Sequence, residues 1–575
     1  MGIWIYRFNK IHKDALAVQN LLDFLKRRLI LQREIATRTF EAGAHSFVLF
    51  DIGQRNRLIS FDKSGVAGFS GIPIDKSSFN IPTGSLLALA SNRIQEFGGA
   101  FSFFRITEDV FECISGGMAF HKVFFRETET EIVVSNFIEL IAFYQSIPVN
   151  RKALLKTYFI NKKGIKLGPL TPFDGIEILP ESSKLSVVMG KLNFMETNLV
   201  ESLFDDNSFT KHFEGTIEYF SNIATYFSKH FKTYVTFSGG FDSRVNFAIY
   251  SKAPQTVESI TYNRQSSMDF LIAKQLARKF GFKANFVYLD PEQLGRVGKT
   301  PEFGNPTHDP FTREFIKSLS SIIYKGTIPS VVVNGNGGDT DWVYKLNHLS
   351  KSKCASFSEY LERVCEWMTS DSVLSKNFKS EIYSDLYSYL WKKYSFLSEH
   401  KEFVKLFNSA FFHIERSITW FGYNAQFTYP YYQDFGPFKE AEFLKLAFAA
   451  SSAQLDRRKR IGLHYLLYER LTDGKMPYAP IIRPNDWNDS IVKRSVDRAF
   501  YFWAKASWKL FGGDTNTQIR RQFNVELNKR QNAWLGEHGA EFADFFTVPL
   551  RDLAYDKVPL LAMAELTDFA RNKAG

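Results

Sequence analysis

The sequence is poor in cysteine and has no long apolar run, and both absences exclude classes of protein. Three cysteines, Cys113, Cys354 and Cys365, occur in 575 residues without metal-ligand spacing, which argues against a disulfide framework and fits a reducing compartment. No window approaches ~20 consecutive apolar residues, so we expect no transmembrane helix and no membrane partner. The first residues match neither a signal peptide nor a myristoylation site. We therefore expect a cytoplasmic protein.

Two further features limit the kinds of nucleotide-binding site and nucleic-acid partner that we expect. The chain has no GxxxxGK[ST] segment, which excludes the Walker type of phosphate-binding loop. The formal net charge of +11 is compatible with a polyanionic partner. However, the basic residues are dispersed, and the densest run, RRKR at 457–460, is typical of a solvated face. We expect no nucleic-acid partner.

The first 200 residues and the rest of the chain differ in pattern. Short β-like runs separated by turn signals predict packed antiparallel sheets with a few helices, and they lie at 45–52, 99–106, 110–116, 122–127 and 130–136. After a polar break near 205, apolar residues recur at helical spacing and predict a core-facing helix: Phe209, Phe213, Ile217, Phe220, Ala224, Phe227 and Phe231. We therefore predict two domains, 1–204 and 205–575.

Strands and helices alternate in the second domain. Strands are predicted at 234–237, 257–262, 285–289 and 330–333, with a helix at 242–252, another from 267 to a stop at Gly281, and mainly helices beyond 355. Such alternation indicates βαβ units, a mainly parallel sheet and an α/β fold. Ligands of these sheets bind beyond the carboxyl ends of the strands, where the strand order reverses.

Two of these strands run directly into glycine-rich turns that carry an aspartate. SGGFDS (238–243) follows one strand and GNGGD (335–339) follows another. Glycines let backbone N–H groups approach phosphate oxygens, and a helix N-terminus favours negative charge. A carboxylate beside a phosphate needs a cation between them, and Mg²⁺ binds through one or two carboxylates plus phosphates. The two turns therefore predict a Mg²⁺–nucleotide site that contains Asp242 and Asp339.

These segments resemble a known family. SGGFDS resembles the SGGxDS loop of the ATP pyrophosphatase (PP-loop) superfamily, and GNGGD after a strand resembles asparagine synthetases and β-lactam synthetases. YPYYQD (429–434), RLTDGKMPYAPIIR (470–483) and FGGAFSFFRITEDVFECISG (97–116) resemble further family segments, the last of them in its glutaminase-type lobe. The resemblance implies an adenine-nucleotide α-hydrolase-like synthetase domain with added helices. It also implies an N-terminal α+β Ntn-hydrolase-like sandwich.

The chemistry implied by the resemblance is ATP-dependent amide formation through an acyl-adenylate, with ATP and Mg²⁺ required. Pyrophosphate and metal would lie on Ser238, Gly239, Gly240, Asp242 and Ser243, and Asp339 would complete the Mg²⁺ set. Thr261 and Gly335 would lie near the adenosine, with Gly337 and Gly338 in the same loop. Asp269 would be the acidic residue that opens a helix in the family, although aspartate is also an ordinary helix N-terminal residue.

The chain departs from the family in two places. Glutamine-using members begin Met-Cys and use that cysteine as nucleophile, whereas residue 2 here is Gly2. FSGIPID (69–75) stands where the family has a glutamine-holding segment, so we expect a non-catalytic N-terminal lobe. The family's catalytic lysine has no clear counterpart; Lys493, Arg483 and Lys475 are the candidates. Thr340 follows Asp339 where the family has an acidic residue.

The sequence leaves several functions open. The leading one is an amide ligase that acts on a small-molecule or peptide carboxylate, with ammonia or an amine of the substrate itself. Glutamine-dependent asparagine synthesis would need a separate ammonia-supplying glutaminase partner. A non-catalytic nucleotide-binding role and a tRNA-modifying activity are also compatible with the motifs. The sequence indicates neither the substrates nor the oligomeric state.

Overall fold

The computed structural model describes residues 2–288, 330–335, 354–415 and 432–473, with gaps, and six isolated positions. The gaps include 157–170, 238–240 and 264–272. None of the described helices combines the length and the apolar character that a bilayer span requires.

The N-terminal part contains two six-stranded sheets in which neighbouring strands run antiparallel. Their orders are β10-β8-β9-β1-β3-β2 and β12-β11-β7-β6-β5-β4. This confirms the predicted antiparallel sheets. The strands are β1 (Gly2–Asn9), β2 (Ile35–Ala42), β3 (His45–Ile52), β4 (Ile59–Asp62), β5 (Gly65–Gly71), β6 (Phe101–Ile106), β7 (Val110–Ser115), β8 (Phe124–Glu127), β9 (Glu131–Ser135), β10 (Glu177–Ile178), β11 (Lys184–Val188) and β12 (Lys191–Met195).

Both faces of the first sheet are buried, as β1 shows. Trp4 and Tyr6 pack with residues of the second sheet, and the Tyr6 ring stacks on Phe111 with centroids 3.7 Å apart. Ile3 and Ile5 belong to a different apolar cluster on the opposite face, together with residues from helices. Because successive side chains of a strand point to opposite faces, this near-continuous apolar run places the sheet between two layers.

The helices are α1 (Val18–Arg28), α2 (Ser91–Gln95), α3 (Ile138–Tyr144), α4 (Leu199–Ser202), α5 (Phe209–His230), α6 (Phe241–Ile249), α7 (Phe357–Thr369), α8 (Lys376–Tyr394), α9 (Phe403–Ala410), α10 (Ala441–Ser452) and α11 (Arg457–Leu471). The apolar stripe of α5 packs into one core cluster, as predicted. Short 3-10 helices lie at Leu86–Ala88, Ser395–Glu399 and Pro437–Lys439.

A five-stranded parallel sheet forms the centre of the C-terminal part. Its strands are β13 (Lys232–Thr236), β14 (Val257–Asn263), β15 (Lys283–Tyr288), β16 (Ser330–Val333) and β17 (Gln433–Phe435). The order is β15-β14-β13-β16-β17, and all four neighbouring pairs of this sheet are parallel. The predicted parallel sheet is confirmed. Gly281 has φ +74° and ends the preceding helical turn, where Phe282 N donates to Ala277 O at 3.0 Å.

A buried carboxylate joins the two parts of the chain. Glu440 Oε2 accepts hydrogen bonds from Gly99 N in the N-terminal part at 2.9 Å and from the Tyr219 hydroxyl on α5 at 2.6 Å. Burial raises the pKa of Glu440. Nearby, Lys76 Nζ lies 2.8 Å from Glu442 Oε1. These contacts connect the β-rich part to the segment that follows β17.

A second connection is a buried ionic cluster. Lys393 at the end of α8 pairs with Glu181, which follows β10, and its Nζ lies 2.8 Å from Glu415 Oε1. The Tyr394 hydroxyl donates to the same Glu415 oxygen at 2.7 Å. Lys122 is also buried nearby, and burial lowers its pKa to about 8. We call these four ionisable side chains, Lys122, Glu181, Lys393 and Glu415, the interface cluster.

Candidate functional site

The two strands that precede the glycine-rich segments lie side by side. β13 pairs directly with β16, with Val235 opposite Val333. The strand order runs from β13 to β14 and β15 on one side and from β16 to β17 on the other. The pair β13–β16 is therefore the topological switch point, where α/β sheets bind ligands beyond the carboxyl ends of their strands.

Gly335, which follows β16, lies against the start of α6. A Cβ placed on Gly335 would lie 3.0 Å from Asp242 Cβ and 3.1 Å from Ser243 N. These separations are shorter than ordinary van der Waals contact, so a side chain at this position would require Asp242 or Ser243 to shift by a few tenths of an ångström.

Asp242 and Ser243 lie in the first turn of α6. The first N–H groups of a helix have no partner within the helix, and its dipole favours negative charge there. The Asp242 side chain is 28% exposed, whereas Ser243 is buried. The arrangement suits an anion at the helix N-terminus and a cation at the carboxylate.

Sequence reasoning missed His464, which contacts Asp242. His464 lies on α11, is 3% exposed, and its Nε2 is 2.8 Å from Asp242 Oδ1. The ring N–H does not point along this line, so the pair is a close polar contact and not an aligned hydrogen bond. No motif in the sequence around 464 predicts this placement.

The other predicted site residues divide into two groups. Thr261 is buried in β14, one residue beyond the pairing of Thr236 with Ile260 at the end of the β13–β14 ladder. It therefore lies at the same edge of the sheet as the carboxyl ends of β13 and β16. The remaining predicted residues lie outside the described part of the chain: Ser238, Gly239, Gly240, Asp269, Gly337, Gly338, Asp339, Lys475, Arg483 and Lys493.

A buried polar pair extends the site toward β17. The side-chain amide of Asn334 donates to Asp434 Oδ1, and the backbone N–H of Asn334 donates to Phe435 O at 2.9 Å. Burial raises the pKa of Asp434, which the nearby Lys439 ammonium opposes. Burial also lowers the pKa of Lys439 to about 8. Asp434 belongs to the family-like segment YPYYQD, but Lys439 had no sequence signal.

The described carboxylate, Asp242, is compatible with a divalent cation that substrate phosphates also bind. Within the described ranges, no group of three or more His, Cys, Asp or Glu side chains is assembled as a metal site. Mg²⁺ is typically held by one or two carboxylates plus phosphate oxygens. Asp242, beside a glycine turn that a Cβ would fill, is suited to be one of these ligands.

Gly335→Ala is expected to weaken nucleotide binding and turnover. The methyl group must push Asp242 and the start of α6 away, and a misplacement of ~1 Å can reduce rates by ~10²-fold. Because a shift of a few tenths of an ångström relieves the contact, we expect a loss of roughly 10-fold. ATP titration in the presence of Mg²⁺ measures the effect. Gly215→Ala is the control, since nothing lies within 4 Å of that added Cβ; equal losses in both variants would contradict the proposed contact.

Neighbouring side chains fill the space around residue 2. A Cβ on Gly2 would lie 2.5 Å from Leu49 Cδ1. The Asn136 side chain donates to Gly2 O at 3.0 Å and accepts from Trp4 N at 2.8 Å. Trp4 Nε1 in turn donates to Ser70 Oγ at 3.0 Å. Polar groups around residue 2 are thus engaged with one another.

Gly2→Cys is therefore expected to create no glutaminase. The new side chain would meet Leu49, and the glutamine-holding segments of the family are absent. Glutamate release from glutamine measures the outcome, with mass spectrometry to verify removal of Met1. Gly2→Ala supplies the same Cβ without the thiol. Release by the cysteine variant above that of the alanine variant would contradict this expectation, because it would show that glutamine can reach residue 2.

Comparison with known proteins adds little. No protein-family profile and no curated protein matches the chain. Among solved structures, a glutamine phosphoribosylpyrophosphate amidotransferase from B. subtilis complexed with ADP and GMP is 10% identical, with a TM-score of 0.22, over 59% of this chain and 77% of that one. A structure described as the allosteric regulatory enzyme of purine biosynthesis is 9% identical, with a TM-score of 0.23, over 60% and 77%. At such TM-scores most of the chains do not superpose, so we draw no conclusion from these likenesses.

Proposed function

We propose that this chain is an ATP-dependent amide ligase of the asparagine-synthetase type. It would adenylate a small-molecule or peptide carboxylate, and ammonia or an amine of the substrate would complete the amide. The observation that carries the proposal is the pairing of β13 with β16 at the switch point of the sheet, with Gly335 against Asp242. One residue of each of the two distant motifs is therefore in contact with the other.

Both chemical steps conserve atoms and electrons. A carboxylate oxygen forms a bond to the α-phosphorus of ATP, the bond from that phosphorus to the bridging oxygen breaks, and pyrophosphate leaves with the electron pair. An amine nitrogen then forms a bond to the acyl carbon, the acyl–oxygen bond to AMP breaks, and nitrogen loses one proton. Pyrophosphate carries the developing negative charge in the first step.

The chain's own groups suit that charge. Backbone N–H groups at the start of α6 would bind phosphate oxygens, and Ser243 would supply a hydroxyl donor. Mg²⁺, when bound, would supply positive charge at the leaving group. Asp242 and Asp339 would hold it. The absence of Cβ at Gly335 leaves room for this residue to lie against Asp242.

Substrate-dependent release of pyrophosphate tests the proposal. Purified protein, ATP, Mg²⁺ and ammonium are incubated with a panel of carboxylic acids, and ATP binding is measured separately by calorimetry. We expect Mg²⁺-dependent ATP binding, with AMP and pyrophosphate formed in equal amounts only when the correct acid is present. A chain that binds no ATP would overturn the proposal, and binding without turnover on any acid would favour a non-catalytic nucleotide-binding role.

A further inference from the structure

The imidazole of His464 lies beside a carboxylate to which the proposed function assigns a metal. His464 and Asp242 come from α11 and α6, two helices that pack together. Nε2 of His464 and Oδ1 of Asp242 are 2.8 Å apart, so the buried ring limits where this carboxylate oxygen can move.

The imidazole is held in place by packing. His464 is almost completely buried, and its ring lies against Phe438, with centroids 5.8 Å apart. Leu467, Tyr468 and Leu471 continue the same buried face of α11 into the core cluster. The histidine is thus fixed by its own helix, whereas Asp242 is partly exposed toward the site.

The close contact with the imidazole is made by Oδ1 of Asp242. Oδ2 has no ion-pair partner among the residues that the structure describes. When a neighbouring group restricts one oxygen of a carboxylate, the other oxygen can point in fewer directions. Partners of this kind orient metal-ligating side chains, and their loss typically weakens metal binding by ~10–100-fold.

We propose that His464 is a positioning residue that orients Asp242 toward the Mg²⁺ of the nucleotide. This inference rests on the proposed function, because it takes Asp242 to be a metal ligand. His464 itself would contact neither the metal nor the substrate. Its effect is transmitted through the direction in which Asp242 presents its second oxygen.

The test measures the Mg²⁺ concentration that half-saturates ATP binding, which is a readout independent of turnover. Three variants are compared with the wild type: His464→Leu, His464→Gln and Leu467→Ala. Glutamine retains an N–H donor close to the position of Nε2, and leucine does not. Leu467→Ala disturbs the same helix face without removing the contact.

We expect His464→Leu to raise the half-saturating Mg²⁺ concentration by roughly 10-fold or more. His464→Gln should recover most of the loss. Leu467→Ala should lower the melting temperature and leave the Mg²⁺ requirement unchanged.

An unchanged Mg²⁺ requirement in folded His464→Leu would overturn the inference alone, provided that the wild type binds Mg²⁺ and ATP together. Tighter binding in that variant would also overturn it, because His464 would then compete with the metal. If His464→Leu fails to fold, His464→Asn takes its place, because its shorter side chain withdraws the polar group from Asp242. A raised Mg²⁺ requirement in that variant supports the inference, and an unchanged one overturns it. Absence of ATP binding by the wild type would overturn both the inference and the proposed function.

Discussion

Asp242→Asn should reduce the release of pyrophosphate by ~10²–10³-fold, the range seen when one charge-stabilising group is removed from an active site. Asparagine has nearly the same shape, so the loss would report the missing charge. ATP binding should lose most of its Mg²⁺ dependence at the same time, because an amide is a weaker ligand than a carboxylate. Initial rates and ATP titrations at several Mg²⁺ concentrations measure both effects.

Asp109→Asn is the matched control for this substitution. Asp109 lies in the exposed turn between β6 and β7, far along the chain from the glycine turns. Its rates and melting temperature should equal those of the wild type. If Asp242→Asn also retains wild-type rates and Mg²⁺ dependence, the assignment of the metal to this carboxylate is wrong.

Lys393→Met should lower the free energy of unfolding by ~3–5 kcal/mol, because it leaves buried carboxylates without their main cation. Glu181 and Glu415 are largely buried, with side chains 15% and 3% exposed. Lys122 is the one further lysine of the interface cluster, and its pKa is already lowered by burial. Urea denaturation of both proteins at the same pH measures the difference.

Lys392→Met is a control on the same helix. Lys392 is 77% exposed and its Nζ lies 3.6 Å from Glu196, so the expected change is ~0–1 kcal/mol. A loss in Lys393→Met no larger than that of this control would show that the interface cluster contributes little to stability.

In Lys393→Met, the pH dependence of the contribution of Glu181 to stability should change sign. In the wild type, burial acts to raise the pKa of Glu181, but the Lys393 ammonium outweighs it and the pKa is lowered. Stability from a lowered carboxyl pKa is lost as the pH falls through the folded-state value. Without Lys393, burial would raise the pKa above the unfolded-state value. The variant should then gain stability as the pH falls from neutral toward the range of ordinary carboxyls.

Local sequence patterns predicted the elements of the site better than its contacts. Ser330–Val333 and Val257–Asn263 read as strands because β-branched residues lie between turn signals, and the structure has strands there. The parallel sheet also followed from alternation of strands and helices. The switch-point order did not, because pairing between distant strands leaves no mark on either segment.

His464 and Lys393 show why the remaining contacts could not be predicted. Each lies on a helix whose local sequence contains other basic residues, so either side chain could equally be solvated. Their partners, Asp242 and Glu181, come from distant parts of the chain. What distinguishes these residues is burial among other elements, which only the assembled fold reveals.

The apolar cluster shared by the two parts of the chain limits how the chain can be divided. Ile3, Ile5 and Ile141 from the N-terminal part belong to the same cluster as Tyr360, Leu390 and Phe448 from the C-terminal part. Division of the gene between the two parts would give two products that each expose an apolar face to water. Exposed apolar faces of this kind promote aggregation, so we expect neither part to be recovered in monodisperse form when it is expressed alone.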